Sequence, residues 1–261
     1  MDIKKRIQTI VIPYLSFGLL VLLYWQFIER RFRDSHRSFT DSLFGLFSGC
    51  YDNLDFNVHL WFLPCFFVTV VLFNTIVNLC SRKNSLSCFS SYELYLYYAS
   101  NAGTSLGGGN RVFKYIGFYA VGVLLAGMGV SVIKKELGAE IVAIGLLALN
   151  YFLCIYNLTT GGMWFMTALI GVAGMILISQ LINKSRILQY FGRISLLILC
   201  IHGPVYRIMV KIVSIALHKG TDAVRENFLL AMLIVSVTLV VCSMVYEVII
   251  RITPWMLGKY D

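Results

Sequence analysis

The stretch HLWFLPCFFVTVVLFNTIVNL (His59–Leu79) carries no charged side chain, and none follows it until Arg82. At a rise of ~1.5 Å per residue it is about as long as the hydrocarbon core of a bilayer is thick. Pro64 falls in the first turns, where few helical N–H bonds are lost, so its ring need not break the helix. Trp61 takes the place of an aromatic belt at the water–lipid boundary, with His59 just outside it. The plain reading is one spanning helix with a polar, aromatic mouth. The sharper reading makes His59 and Trp61 the lip of a site.

Composition extends this reading to the whole chain. Of its 261 residues 58% are hydrophobic and 13% charged, with a mean hydropathy of +0.77. Soluble domains carry about 25% charged residues. The class is therefore an all-α polytopic membrane protein, one integral-membrane domain over 1–261 with no sizeable extramembrane part. The net charge of +9 suits loops that face anionic lipid headgroups. It also suits an anionic substrate. Because the basic residues are scattered over many loops, nucleic acid is not expected as a partner. The seven cysteines form no CxxC pair and mostly lie in apolar runs, so they read as small packing residues. No metal-ligand spacing exists, and no bound cofactor is expected.

From the N-terminus, Lys4, Lys5 and Arg6 precede an apolar run from Ile7 to Ile28. No small-residue cleavage site follows it, so it reads as a retained span with its basic end in the cytoplasm. Residues 29–58 mix both charge signs, as a solvated interfacial link would. Beyond the His59 helix, 87–106 is tyrosine-rich and weakly apolar. The run Gly107-Gly108-Gly109 with Asn110 lacks the Lys-Ser/Thr ending of a phosphate loop and reads as a turn. Further spans are expected over 112–133, 141–156, 163–182, 194–201 and 227–250. Gly122 and Ala126, four apart, form a small-residue face through which copies of the chain could associate. Glu247 and Arg251, also four apart, read as an interfacial ion pair. Asn74 and Asn78 share a helix face and read as bonding to a neighbouring helix. The count is about eight spans, seven if 87–106 does not cross. Eight puts the basic turns near 134 and 184 inside and the uncharged turn 157–162 outside. His59 and His202 then share the outer end of the bundle.

Four pieces in order resemble the acyltransferase family 3 proteins, the membrane O-acyltransferases, and most nearly their fucose 4-O-acetylase-like branch. They are KKRIQTIVIPYLSFGLL (Lys4–Leu20), HLWFLPCFF (His59–Phe67), FKYIGFYAVGVLL (Phe113–Leu125) and LQYFGRISLLILCIHGPV (Leu188–Val205). The resemblance implies a multi-pass protein of the bacterial cytoplasmic membrane that moves acetyl from acetyl-CoA to a sugar hydroxyl of an extracellular or lipid-linked glycan. It also implies two further helices ahead of Met1, the first of them carrying a basic residue and the catalytic histidine, so the chain is expected to be N-terminally incomplete. His36, in a charged loop, does not stand in for that histidine. Lys5 and Arg6 match the basic stretch placed near acyl-CoA, although Thr9 stands where a further arginine is often found. Arg193 and Ser195 match the pattern ahead of the late histidine, His202.

O-Acetylation needs a base for the hydroxyl proton, a role for neutral imidazole near pH 7, and cations for the CoA phosphates. His59 is the candidate base; its plain alternative is a histidine capping its own helix. Trp61 and His202 are candidate acceptor contacts, against a belt tryptophan and a histidine that merely marks a helix end before Gly203-Pro204. Lys5 and Arg6 serve equally as cytoplasmic anchors. Three classes remain in view: an O-acetyltransferase, a non-catalytic remnant or partner subunit, and a glycan-precursor transporter. A transporter would show an internal repeat or ionisable residues at mid-span, and neither is apparent. On the resemblance, the chain by itself inserts in a membrane without transferring acetyl, unless His59 takes the base's place. A labelling or reporter-fusion scan should find 134–138 and 183–190 inside and 157–162 outside. An outside signal at 134–138 would remove 87–106 as a crossing.

Overall fold

The computed structural model describes residues 3–32, 38–49, 53–79, 109–127, 138–159, 163–182 and 184–259. Every regular element among them is a helix: α1 (Ile3–Phe27), α2 (Phe39–Ser48), α3 (Phe62–Leu79), α4 (Gly109–Gly127), α5 (Ala139–Ile155), α6 (Met163–Leu181), α7 (Arg186–Arg193), α8 (Ser195–Ala216), α9 (Thr221–Glu226) and α10 (Phe228–Ile252). Among the described residues five segments are long and apolar enough to cross a membrane: Ile3–Phe27, Val58–Asn78, Met163–Leu181, Ser195–Ala216 and Phe228–Ile252. Tyr115–Gly127 and Ala139–Ile155 are shorter apolar helices. The protein is an all-α membrane bundle. The expected crossing at 87–106, His36 and the basic turn at 134–136 lie outside the described residues.

The chain forms two compact units, Met1–Gly117 with Arg193–Asp261, and Phe118–Gly192. In the first, α1 buries a stripe at helical spacing, with Ile10, Tyr14, Phe17, Val21 and Trp25 turned into the core. Its early turns widen into a π-helical stretch over Ile7–Val11, where the Ile12 N–H reaches the Ile7 carbonyl. Pro13 explains the widening, because it has no N–H for the Thr9 carbonyl and its ring crowds that turn. The turn Pro254–Leu257 after α10 packs there. Gly258 (φ +69°) comes so close that a Cβ would stand 2.8 Å from the Gln8 carbonyl oxygen.

The link 29–58 departs from the solvated face expected of it. Ser38 and Asp41 cap α2 reciprocally, and Gly49 (φ +65°) ends it in the left-handed conformation that glycine adopts without strain. This helix runs back into the bundle. Its Leu46 fills the place of a side chain at Gly18, and the Leu46 carbonyl accepts from the Tyr14 hydroxyl near the middle of α1. Leu54, Phe56 and Asn57 beyond it are fully buried. The mixed charges hid this because the apolar groups of 39–57 are interleaved with small polar ones.

Three further expectations change. Helix α8 does not stop at His202: it continues through Pro204 to Ala216. The Asn74 side chain donates to the Val70 carbonyl of its own helix, 2.7 Å away, and among the described residues it reaches no neighbouring helix. Gly109 and Asn110, read as part of a turn, already belong to α4. In the second unit α5 and α6 pair closely. A Cβ on Gly174 would stand 2.8 Å from Leu147, and Asn150 donates across to the Thr167 carbonyl at 2.7 Å. Among the described residues nothing lies within 4 Å of where a Cβ on Gly122, on the small-residue face of α4, would be.

Packing at the glycines gives a stability test. A methyl group at Gly45 would run into the Asn53 backbone carbonyl, whereas one at Gly122 enters open space. Gly45→Ala should destabilise the purified protein by ~1–3 kcal/mol, as overpacking does. Gly122→Ala should stay within about 0.5 kcal/mol of the parent. Thermal unfolding in detergent reads both.

Candidate functional site

Pro204 sets the local problem from which the site grows. Lacking an N–H, it leaves the Cys200 carbonyl, four residues back, without its helical donor. In a buried apolar setting such a carbonyl needs another partner. Asn57 supplies it: its side-chain amide donates to the Cys200 oxygen at 2.6 Å, across 143 residues of sequence. Asn57 is fully buried, and its own backbone is turned by a bond from its N–H to the Leu54 carbonyl at 2.9 Å. One turn further along α8, Arg207 donates to the Phe56 carbonyl at 2.7 Å and pairs with Glu29 at 2.7 Å. Glu29 is buried just past the end of α1. The segment 56–57 is thus held to α8 at two successive residues.

That attachment brings the histidines together. His59 and His202 have ring centroids 4.4 Å apart, with the ring planes tilted by 44°. Nδ1 of His202 lies 2.7 Å from the Ile198 carbonyl. A carbonyl oxygen only accepts, so Nδ1 carries the proton, and in the neutral ring the lone pair belongs to Nε2. Among the described residues Nε2 makes no hydrogen bond. His59 is exposed, and His202 is half-buried. Gly203 permits the approach: a Cβ there would stand 3.2 Å from both the Asn57 Oδ1 and the His59 ring.

The other residues singled out in the sequence fall elsewhere. Trp61 is half-buried and rests against Tyr115, ring centroids 5.6 Å apart. Arg193 and Ser195, both exposed, close α7 and open α8. Seven residues separate Ser195 from His202, or ~10 Å of helix rise. Lys5 and Arg6 are exposed in the first turns of α1. His202 lies two turns into α8, beside His59.

Asn57, Glu29, Gly203 and Arg207 were missed. Reading Gly203-Pro204 as a helix end placed Arg207 outside any span. With the helix continuous, an arginine inside an apolar segment is a functional candidate by default, and an ionisable group does stand at mid-span. Among the described residues no three of His, Cys, Asp and Glu stand together as a metal site needs.

The profile of an acyltransferase domain, that of acyltransferase family 3, matches residues 3–247. No curated protein and no solved structure matches the chain.

The Asn57 bond has a distinctive signature. Asn57→Ala should cost ~1–3 kcal/mol, because it leaves the buried Cys200 carbonyl unsatisfied. In a Pro204→Ala background residue 204 regains an N–H for that carbonyl, so the same substitution should cost at least ~1 kcal/mol less. Additive losses in thermal unfolding would remove the coupling.

Proposed function

The chain belongs to acyltransferase family 3, and on that premise we propose that its histidine pair is where a membrane-embedded acyl transfer takes place, with acetyl-CoA as donor and a sugar hydroxyl of an extracellular or lipid-linked glycan as acceptor. The single observation that carries the reading is the His202 hydrogen bond to the Ile198 carbonyl. It fixes the tautomer and leaves the Nε2 lone pair to take a proton, as a general base requires.

In this reading the acceptor hydroxyl gives its proton to Nε2 as its oxygen bonds to the thioester carbon. The carbon–sulfur bond breaks, and the departing CoA sulfur takes up a proton. His59, against the face of His202, positions the acceptor. Lys5 and Arg6, at the start of α1, meet the CoA phosphates by charge-assisted hydrogen bonds. The Glu29 carboxylate balances Arg207, so the charge at mid-span is a fixed structural pair and not a mobile relay. The setting is the cytoplasmic membrane of a bacterium.

The test uses membranes containing the full chain and radiolabelled acetyl-CoA. His202→Asn keeps a donor for the Ile198 carbonyl and removes the base, so transfer should fall by ~10²–10⁴-fold while thermal stability is preserved. Transfer lost in His59→Ala and untouched in His202→Asn would move the base to His59.

A further inference from the structure

Lys259, just past the turn that follows α10, is held more firmly than an exposed lysine needs to be. Its ammonium donates to the Tyr246 hydroxyl at 2.8 Å and stands 5.3 Å from the centre of the Tyr246 ring. Its backbone N–H donates to the Pro254 carbonyl at 3.3 Å. Gly258, the residue before it, is seated on α1: a Cβ there would stand 2.7 Å from the Thr9 Cα. That contact falls one turn from Lys5 and Arg6, and the Thr9 hydroxyl donates to the Lys5 carbonyl at 2.9 Å. The fold thus brings a cation from residue 259 beside those of residues 5 and 6, and all three residues are exposed. Among the described residues neither Arg6 nor Lys259 is held in an ion pair. Glu247, next to Tyr246 in sequence, is offset in charge by Arg251, so the surplus here is positive.

Anchoring in the headgroups asks only that a flexible lysine stem reach them, and it favours leaving that stem free. A clamped ammonium has its geometry set before a ligand arrives, which suits a defined anion. Tyr246 takes one of its three N–H donors and leaves two for a ligand. We propose that Lys259 is a further donor-binding residue, which with Arg6 takes one phosphate group of CoA between them, Tyr246 acting as its positioning residue. This rests on the donor reading above, in which Lys5 and Arg6 meet CoA, and extends that site to the turn after α10. A carboxylate, with two oxygens, would be filled by the Arg6 fork alone, whereas a phosphate keeps an oxygen for a second cation.

The experiment measures CoA binding to the purified full chain by isothermal titration calorimetry, so it needs no turnover. Lys259→Met should weaken CoA about tenfold, the effect of losing a hydrogen bond to a charged group. Lys259→Arg, which keeps the charge, should restore most of that affinity. Tyr246→Phe keeps the ring and releases the ammonium from the hydroxyl, so CoA should weaken by about threefold. Arg6→Met should also weaken CoA, and in the double variant with Lys259→Met the two factors should not simply multiply, because both cations serve one phosphate. Thermal stabilisation by phosphatidylglycerol in mixed micelles is the lipid arm of the same test. A Lys259→Met protein that binds CoA unchanged and loses only that stabilisation makes the residue a lipid anchor and overturns the proposal. A loss as large in Lys259→Arg reduces it to a packing residue, and factors that multiply remove the shared phosphate. CoA weakened by Arg6→Met and untouched by Lys259→Met overturns Lys259 and leaves the donor reading. An unmodified protein that binds no CoA overturns both. Should Lys259→Met not fold, Tyr246→Phe decides by the same comparison.

Discussion

A proline inside an apolar helix leaves a carbonyl without a donor, and in this protein the bond that answers that lack organises the site. The Asn57 amide reaches the Cys200 oxygen at 2.6 Å. It ties the segment ahead of α3 to the interior of α8. His59, two residues beyond Asn57, therefore meets His202, two residues beyond Cys200. Gly203 keeps the contact open by presenting no side chain. Arg207 repeats the attachment about two turns on, through the Phe56 carbonyl, and carries Glu29 from the end of α1 into the same arrangement. The bare Cys200 carbonyl, and Glu29 or Arg207 alone, would be costly in an apolar interior, and each is offset by a partner.

The link between α1 and α3 is what makes this geometry possible. A solvated loop would have left Asn57 at the surface. Instead α2, capped at Ser38 and terminated at Gly49, turns back along α1 until Leu46 packs over Gly18. The chain then re-emerges through Leu54 and Phe56, both fully buried. Irregular backbone at such depth is tolerated only where protein groups surround it, and 53–57 is surrounded by α1, α2 and α8.

Charge divides between two tasks. Lys5 and Arg6 stand exposed at the start of α1, suited to an anionic donor or to lipid headgroups. Arg207 is neutralised by Glu29, and its guanidinium holds the Phe56 carbonyl by a directed hydrogen bond. The same residue type thus contributes long-range attraction at one place and local shape at another.

The amino-acid sequence by itself determined that the chain is an all-α membrane bundle, because uninterrupted apolar runs of spanning length have few alternatives. It also determined the family, through motifs around His59 and His202 that stand in order along the chain. It singled out both histidines. It did not reveal how they meet, or that Asn57, Glu29, Gly203 and Arg207 belong with them. Whether Pro204 ends a helix or lies within one depends on whether some other group satisfies the Cys200 carbonyl, and that group comes from 143 residues away. No local pattern contains that information. Only the tertiary structure decided it, by burying an asparagine where the proline had left a carbonyl open, and so turned an apparent helix end into the centre of the site.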